Sequence, residues 1–366
     1  MKALKKIGLI GTLASTIIGA GVFSLPFVFQ SVGPRNGLIF LFLFFFVYSI
    51  IHLMYAWLIY KNKNVEFGGL VKKYFGKMGE IVQWLIIFEL ITICIAYIAL
   101  APDFFSILFN INSTISVIIF LGLGVIGVLL PMRFVEFFET LGLVGIILLI
   151  GIVGWFGFVS SNSISWTPES VRAPQLLLLF GPLLFALSGR PIIARIVRST
   201  NENEYKYIPL IIVLGTAIPA ILYGIYTLGI LAINPNVNEH TIQTISLFPP
   251  LIALLLALLG IIALWTSYFV IARNVRDELV IDAHINKKIA FLFTTLVPVL
   301  LYFAGINNFI RVISFAGGIF LAFEGFFVVR MWQKERNKKD ILFYGSGVLY
   351  FVFFLAIIQE IKQIVW

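Results

Sequence analysis

Residues Ile10-Gly11-Thr12-Leu13-Ala14-Ser15-Thr16-Ile17-Ile18-Gly19-Ala20-Gly21-Val22-Phe23-Ser24-Leu25-Pro26 form an apolar stretch broken at its middle by two glycines around one alanine, with a proline five residues on. The surrounding run, about 7–31, is long enough to cross a bilayer as a helix, which takes about 20 residues. Glycine leaves helical geometry at low cost and lets a ligand approach the backbone. Unwound backbone at mid-membrane is tolerated only where it is buried in protein or lines a cavity. The stretch therefore has two readings. It is a helix broken to expose amide N–H groups as a cradle for a carboxylate, or a small-residue face for close helix packing.

The rest of the chain supplies the membrane context. Hydrophobic residues make up 60% of 366, charged residues 12%, and mean hydropathy is +1.04, whereas soluble domains carry roughly 25% charged residues. The apolar runs lack the alternation of a barrel strand, so an all-α polytopic membrane protein is expected. Eleven spans are expected, at about 7–31, 36–60, 81–108, 114–131, 135–160, 174–197, 207–232, 247–272, 288–305, 308–331 and 341–361. They form one transmembrane domain over 1–366 with no separate soluble domain. Lys2, Lys5 and Lys6 before the first run imitate a signal peptide, but ten spans follow, so an uncleaved first helix is expected.

The net charge of +9 does not point to nucleic acid, because the basic residues sit in short loops between spans. With the N-terminus inside, 21 of the 26 Lys and Arg residues fall in cytoplasmic segments, as the positive-inside rule requires. An odd span number puts the C-terminus outside, and a plasma-membrane location is expected. The loop 61–80 is basic and aromatic, and reads as a solvated positive-inside loop or as a short interfacial helix. Cys94 has no partner cysteine, and His52, His240 and His284 show no metal spacing. With no nucleophile–base pair and no phosphate loop either, an enzyme is not expected, and no cofactor is called for.

A second interruption lies five spans later, in Phe180-Gly181-Pro182-Leu183-Leu184-Phe185-Ala186-Leu187-Ser188-Gly189-Arg190-Pro191. Paired interrupted spans in two halves mark inverted-repeat transporters and their sites. Repeat one would cover about 7–160 and repeat two about 174–331, with 341–361 as an additional helix. Five spans per repeat is odd, so the second repeat enters from the opposite side. Unwound carbonyls at Phe185, Ala186, Leu187 and Ser188 suit an ammonium group, opposite the amide cradle of Gly19, Ala20 and Gly21. A zwitterionic amino acid matches that pair of ends.

The runs GTLASTIIGAGVFSLP (11–26), PLLFALSGRPIIARI (182–196) and TSYFVIARNVRDEL (266–279) resemble the amino acid–polyamine–organocation superfamily. The resemblance is closest to its amino acid/auxin permease and aromatic amino acid permease branches. It implies the leucine-transporter fold, with discontinuous helices 1 and 6, and substrate contacts at Gly19, Ala20, Gly21 and Phe185–Ser188. Arg190 departs from the small polar residues or histidine often found there. Ion-coupled amino acid transport by alternating access is the function implied; an amino-acid-sensing receptor of the same fold is the alternative.

Two groups compete for the coupling ion. Thr266 and Ser267, with first-span oxygens near Thr16 and Gly19, supply hard ligands for Na⁺, or the hydroxyls merely back-bond to their own helices. The resemblance also implies that proton-coupled relatives can use a fifth-span lysine; here that span has only Glu139 and no lysine. Glu89, Arg190 and Glu324 lie inside apolar runs, where a charge costs about 2.5–3.5 kcal/mol on insertion scales and calls for a partner. Arg190 with Glu324 or Glu89 forms a gate, a proton relay or a structural ion pair. Asp277, in the run Arg276-Asp277-Glu278, would meet Lys5 or Lys6 as an inner gate or remain a solvated helix end.

Overall fold

The computed structural model describes residues 3–62, 65, 67–160, 164, 166, 171–281, 283–336 and 345–365. Among them every element is helical. The α-helices are α1 (Ala3–Ile17), α2 (Leu25–Val32), α3 (Pro34–Lys61), α4 (Phe67–Phe75), α5 (Met78–Phe109), α6 (Ser113–Leu129), α7 (Met132–Val159) and α8 (Ala173–Leu176). They continue with α9 (Phe180–Ala186), α10 (Arg190–Arg198), α11 (Ile208–Ile233), α12 (Pro250–Ile281), α13 (Lys287–Phe303), α14 (Phe309–Phe315), α15 (Ala322–Glu335) and α16 (Gly347–Val365). Seven helical stretches are each long and apolar enough to cross a membrane, and the bent pair Lys5–Ile17 and Ala20–Val32 makes an eighth. α6, α13 and α16 occupy most of the described part of the expected spans 114–131, 288–305 and 341–361.

The first span breaks where its glycines lie. Ile18 N–H still bonds the Ala14 carbonyl, Gly19 is extended (φ −143°, ψ −158°), and a 3₁₀ turn, Ala20–Ser24, restarts the chain at 48° to α1. Pro26 stands in the first turn of α2, where its missing N–H costs nothing. Gly33, at φ +83°, ends α2 in a conformation that favours glycine.

The sixth span breaks at the end of the expected Phe185–Ser188 stretch and not at its Gly-Pro pair. Gly181 and Pro182 lie inside α9, and the helix opens only at Leu187–Gly189 before α10 begins. Pro182 is in the first turn of α9 and Pro191 in that of α10, so neither removes an intrahelical bond. Gly181 serves close approach instead: a Cβ there would lie 2.5 Å from the Ser314 carbonyl.

The tenth span holds a feature that its sequence did not announce. Between α14 and α15 the chain forms a π-helix, Ala316–Leu321, whose Gly317 sits against the Gly181 carbonyl with no room for a Cβ. π-Segments inside helices are rare and frequent at functional sites.

α12 packs on α5 and α7, and α11 on α7 and α1. Glycines permit the closest crossings: Gly157 on Gly229 between α7 and α11, and Gly127 on Phe269 between α6 and α12. The segment after α3 is not only a solvated loop. It folds as α4, burying Phe67, Leu70 and Val71 and leaving Lys72 and Lys73 exposed. α12 runs nine residues past the expected end of its span, to Ile281. Asn112, the first residue of a glycosylation-type triplet, caps α6 by accepting from the Ile115 N–H at 2.9 Å.

Candidate functional site

The two breaks meet at the centre of the bundle. A Cβ on Gly21 would lie 2.7 Å from Ala186 Cα, and one on Gly189 would lie 2.6 Å from Ile17 Cγ1. The Tyr223 hydroxyl of α11 stands 2.6 Å from the Ile17 carbonyl and 3.0 Å from the Ala186 carbonyl. Tyr48 of α3 donates to the Leu184 carbonyl at 2.5 Å. These are carbonyls that terminating helices leave without intrahelical donors. At the other side of the first break, the amides of Ala20 and Gly21 open the 3₁₀ turn and have no acceptor within it.

A cavity of about 410 Å³ lies beside the first break, within the range of small-molecule pockets. Thr12, Thr16, Gly19, Ala20 and Phe23 line it from the first span, with Tyr97 of α5, and Thr266, Ser267 and Asn274 of α12. α10 adds Pro191, Ile192 and Arg195. The mouth is at exposed Thr16, Pro191 and Arg195. The opposite end is shut by buried Phe23, edge-on to Phe104 and Tyr226 at 5.4 and 5.8 Å, its carbonyl accepting from the Thr241 hydroxyl.

The expected site residues divide between this cavity and the packing behind it. Gly19 and Ala20 are on the cavity wall, whereas Gly21 is pressed against Ala186. Ala186 and Leu187 are buried, and Phe185 and Ser188 half-buried, on the far side of that contact. The Phe185 carbonyl already accepts from the Ser188 N–H and the Ala186 carbonyl from Tyr223, each keeping a second lone pair.

Thr16, Gly19, Thr266 and Ser267 do come together on the cavity wall. Two of the hydroxyls donate to their own helices, Thr16 to the Thr12 carbonyl and Thr266 to the Ala263 carbonyl, both at 2.9 Å. The side chain of Glu139 lies outside the described residues.

Arg190 and Glu324 form a buried pair, Nε to Oε2 at 2.5 Å, with the guanidinium 4.4 Å above the Phe67 ring. Glu89, 5% exposed, lies close enough to interact with both. α4 is held there by α15: Tyr74 donates to Glu335 at 2.5 Å and Lys334 to the Tyr74 carbonyl at 2.6 Å. Burial and the Glu335 carboxylate push the Tyr74 phenol up to about 12, so the donor persists at physiological pH.

Of the two readings of Asp277, an inner gate with Lys5 or Lys6 or a solvated helix end, this conformation shows no ion pair between Asp277 and either lysine among the described residues. Lys5 reaches Glu204 at 3.5 Å and the Ser199 carbonyl at 3.1 Å, and Lys6 stands 3.4 Å over the Tyr207 ring. Asp277 pairs with its neighbour Arg276 at 2.8 Å. The N-terminal lysines thus face the connection between α10 and α11. The reading of residue types also missed Tyr48, Tyr97 and Tyr223, because a tyrosine in an apolar helix looks like filler until a carbonyl lies opposite its hydroxyl. No group of three metal-ligating side chains occurs among the described residues.

A family model described as the tryptophan/tyrosine permease family matches residues 5–363. Glutamine transporter 2 of Aliivibrio fischeri is 24% identical over 166 residues, 43% of this chain and 42% of that protein. The match thus spans about two-fifths of that relative's length. Among solved structures, an Eremococcus coleocola manganese transporter in complex with an aromatic bis-isothiourea substituted compound superposes with TM-score 0.71 and 14% identity, over 98% of this chain and 86% of that one. MhsT in complex with L-phenylalanine superposes with TM-score 0.67 and 13% identity, over 98% of both chains. At these identities the likeness is one of fold, the leucine-transporter type.

Proposed function

The chain belongs to the tryptophan/tyrosine permease family and is an integral membrane transporter, and from that premise we propose that it is an ion-coupled symporter moving an amino acid by alternating access. The observation that carries this reading is the cavity of about 410 Å³ against the broken first span, shut at the Phe23 end and open at the Thr16–Arg195 end. A site closed to one side and open to the other is one half of an alternating-access cycle.

In this proposal the amides of Ala20 and Gly21 take the substrate carboxylate, and Gly19 lets it approach the backbone. The ammonium group goes to second lone pairs of the carbonyls at Phe185–Ser188. Of these groups only Gly19 and Ala20 line the cavity in this conformation, so closure has to bring Gly21 and Phe185–Ser188 onto the ligand. Phe23, Tyr97, Leu143 and Ile146 on the wall offer the side chain an apolar and aromatic surface. The family description and the likeness to a protein holding L-phenylalanine support an aromatic amino acid, and the partial match to a glutamine transporter supports a polar one.

We further infer eleven spans, in two inverted five-span repeats of about 7–160 and 174–331 with α16 added. The distribution of basic loops supports a cytoplasmic N-terminus and an outside C-terminus, and we infer the plasma membrane as the location. The cavity mouth at Arg195 then faces the cytoplasm. Coupling falls either to Na⁺ among Thr16, Gly19, Thr266 and Ser267, or to protons at the buried charges.

Uptake of each of the twenty amino acids into proteoliposomes, with and without Na⁺ and at two pH values, tests the proposal. Saturable, gradient-driven accumulation of one or a few of them is expected. Binding without uptake under every gradient would leave a receptor and overturn it.

A further inference from the structure

α10 presents two surfaces within nine residues. Pro191, Ile192 and Arg195 line the cavity, whereas Arg190, its first residue, is held outside it by Glu324 of α15 and Phe67 of α4. The helix starts directly after the break at Leu187–Gly189, so it can turn about that break as a short rigid unit. Anything that pulls on Arg190 is felt at the cavity wall.

The charges around Arg190 do not balance. Glu324 and Glu89 are 8% and 5% exposed, and the one guanidinium, paired with Glu324, also lies within electrostatic range of Glu89. The groups acting on Glu89 are Arg190 of α10, Glu324 of α15 and Glu278 of α12, and it acts in turn on the Tyr48 hydroxyl of α3. The amino end of α10 adds only a partial positive charge, roughly half a unit. Arg190 is engaged by Glu324, and Glu89 makes no hydrogen bond or ion pair among the described residues. A net negative cluster inside a bilayer costs several kcal/mol, and one proton on the uncontacted carboxylate removes it.

We propose that Glu89 is the proton-carrying residue of this transporter, and that Arg190 transmits its protonation state to the substrate cavity through α10. This rests on the symporter reading. With a proton on Glu89, Arg190 stays with Glu324, as in the conformation described. When that proton leaves to water on the other side, the Glu89 carboxylate competes with Glu324 for the guanidinium and draws on α10. Substrate on the Pro191–Ile192–Arg195 face and proton on Glu89 thus bias one element, which is all that linkage requires.

The test uses the full chain in proteoliposomes with labelled L-tryptophan and, in parallel, L-glutamine. A one-unit pH gradient, acid outside, supports roughly tenfold accumulation at one proton per substrate, and the wild type is expected to approach this. Glu89→Gln keeps the shape and removes the titration. It should lose gradient-driven accumulation and the pH dependence of transport, yet still exchange external label for internal unlabelled amino acid. Accumulation by Glu89→Gln equal to the wild type would overturn the proposal. Independently of any variant, wild-type vesicles loaded with a pH-sensitive dye must acidify inside when substrate is added; uptake without acidification also overturns it. A wild type that moves neither amino acid under any gradient would instead sink the symporter reading, and this proposal with it.

Discussion

The hydroxyl of Tyr223 lies 2.6 Å from the carbonyl oxygen of Ile17, the last residue of α1, and the same hydroxyl is 3.0 Å from the carbonyl of Ala186, the last residue of α9. One buried proton is thus shared between the ends of both broken helices. Tyr223→Phe leaves the two carbonyls without it. A buried polar group left unsatisfied costs about 1–3 kcal/mol, so a lower melting temperature in detergent is expected, together with weaker substrate binding. A variant with unchanged stability and affinity would show that the hydroxyl does not hold the breaks in register.

The two glycines of the first break should respond differently to alanine. At Gly21 the added Cβ would press on the Ala186 backbone, Cα at 2.7 Å, whereas at Gly19 it would meet nothing nearer than the Tyr97 hydroxyl at 3.5 Å. Overpacking of the first kind costs about 1–3 kcal/mol. Gly21→Ala is therefore expected to lower thermal stability, and Gly19→Ala to keep it while weakening amino acid binding at the cavity wall. Thermal melts and binding isotherms on both variants check this.

Breaking the Arg190–Glu324 pair from one side should be costlier than replacing both. Removing one member of a buried pair costs about 3–5 kcal/mol, whereas apolar replacement of both is often near neutral. Glu324→Leu should therefore be less stable than the double variant Arg190→Met with Glu324→Leu, and the denaturation midpoints of the set read this directly. Both variants should transport poorly, because α10 loses its anchor.

The hydroxyls of Thr16 and Thr266 already donate along their own helices, and the proposal that Glu89 carries the coupling proton requires no sodium. Replacing Na⁺ by K⁺ at constant pH is expected to leave uptake unchanged, as is Ser267→Ala. Uptake that needs Na⁺ and is lost in Ser267→Ala would restore the sodium site on the cavity wall.

What the residues determined by themselves was local. Apolar length and the spacing of basic loops announce membrane helices. The Gly19-Ala20-Gly21 break is legible because interrupting a helix with glycine is a property of the backbone there. The sixth span shows the limit of that logic: the unwinding expected over Phe185–Ser188 is confined to its end, the chain opening at Leu187–Gly189, while Gly181 and Pro182 fit the first turn of α9.

The tertiary structure decided everything that depends on what stands opposite. Ala316–Leu321 contains no helix breaker beyond two glycines, and its π-geometry brings Gly317 against the Gly181 carbonyl of another span. Arg190 had two carboxylates within reach by sequence and paired with Glu324. Lys5, which the sequence reading could set only against Asp277, took Glu204. Helical propensity and hydropathy are sums over neighbours in the chain, whereas a buried charge or hydroxyl is satisfied by whichever distant residue the packing delivers, and only the assembled bundle holds that information.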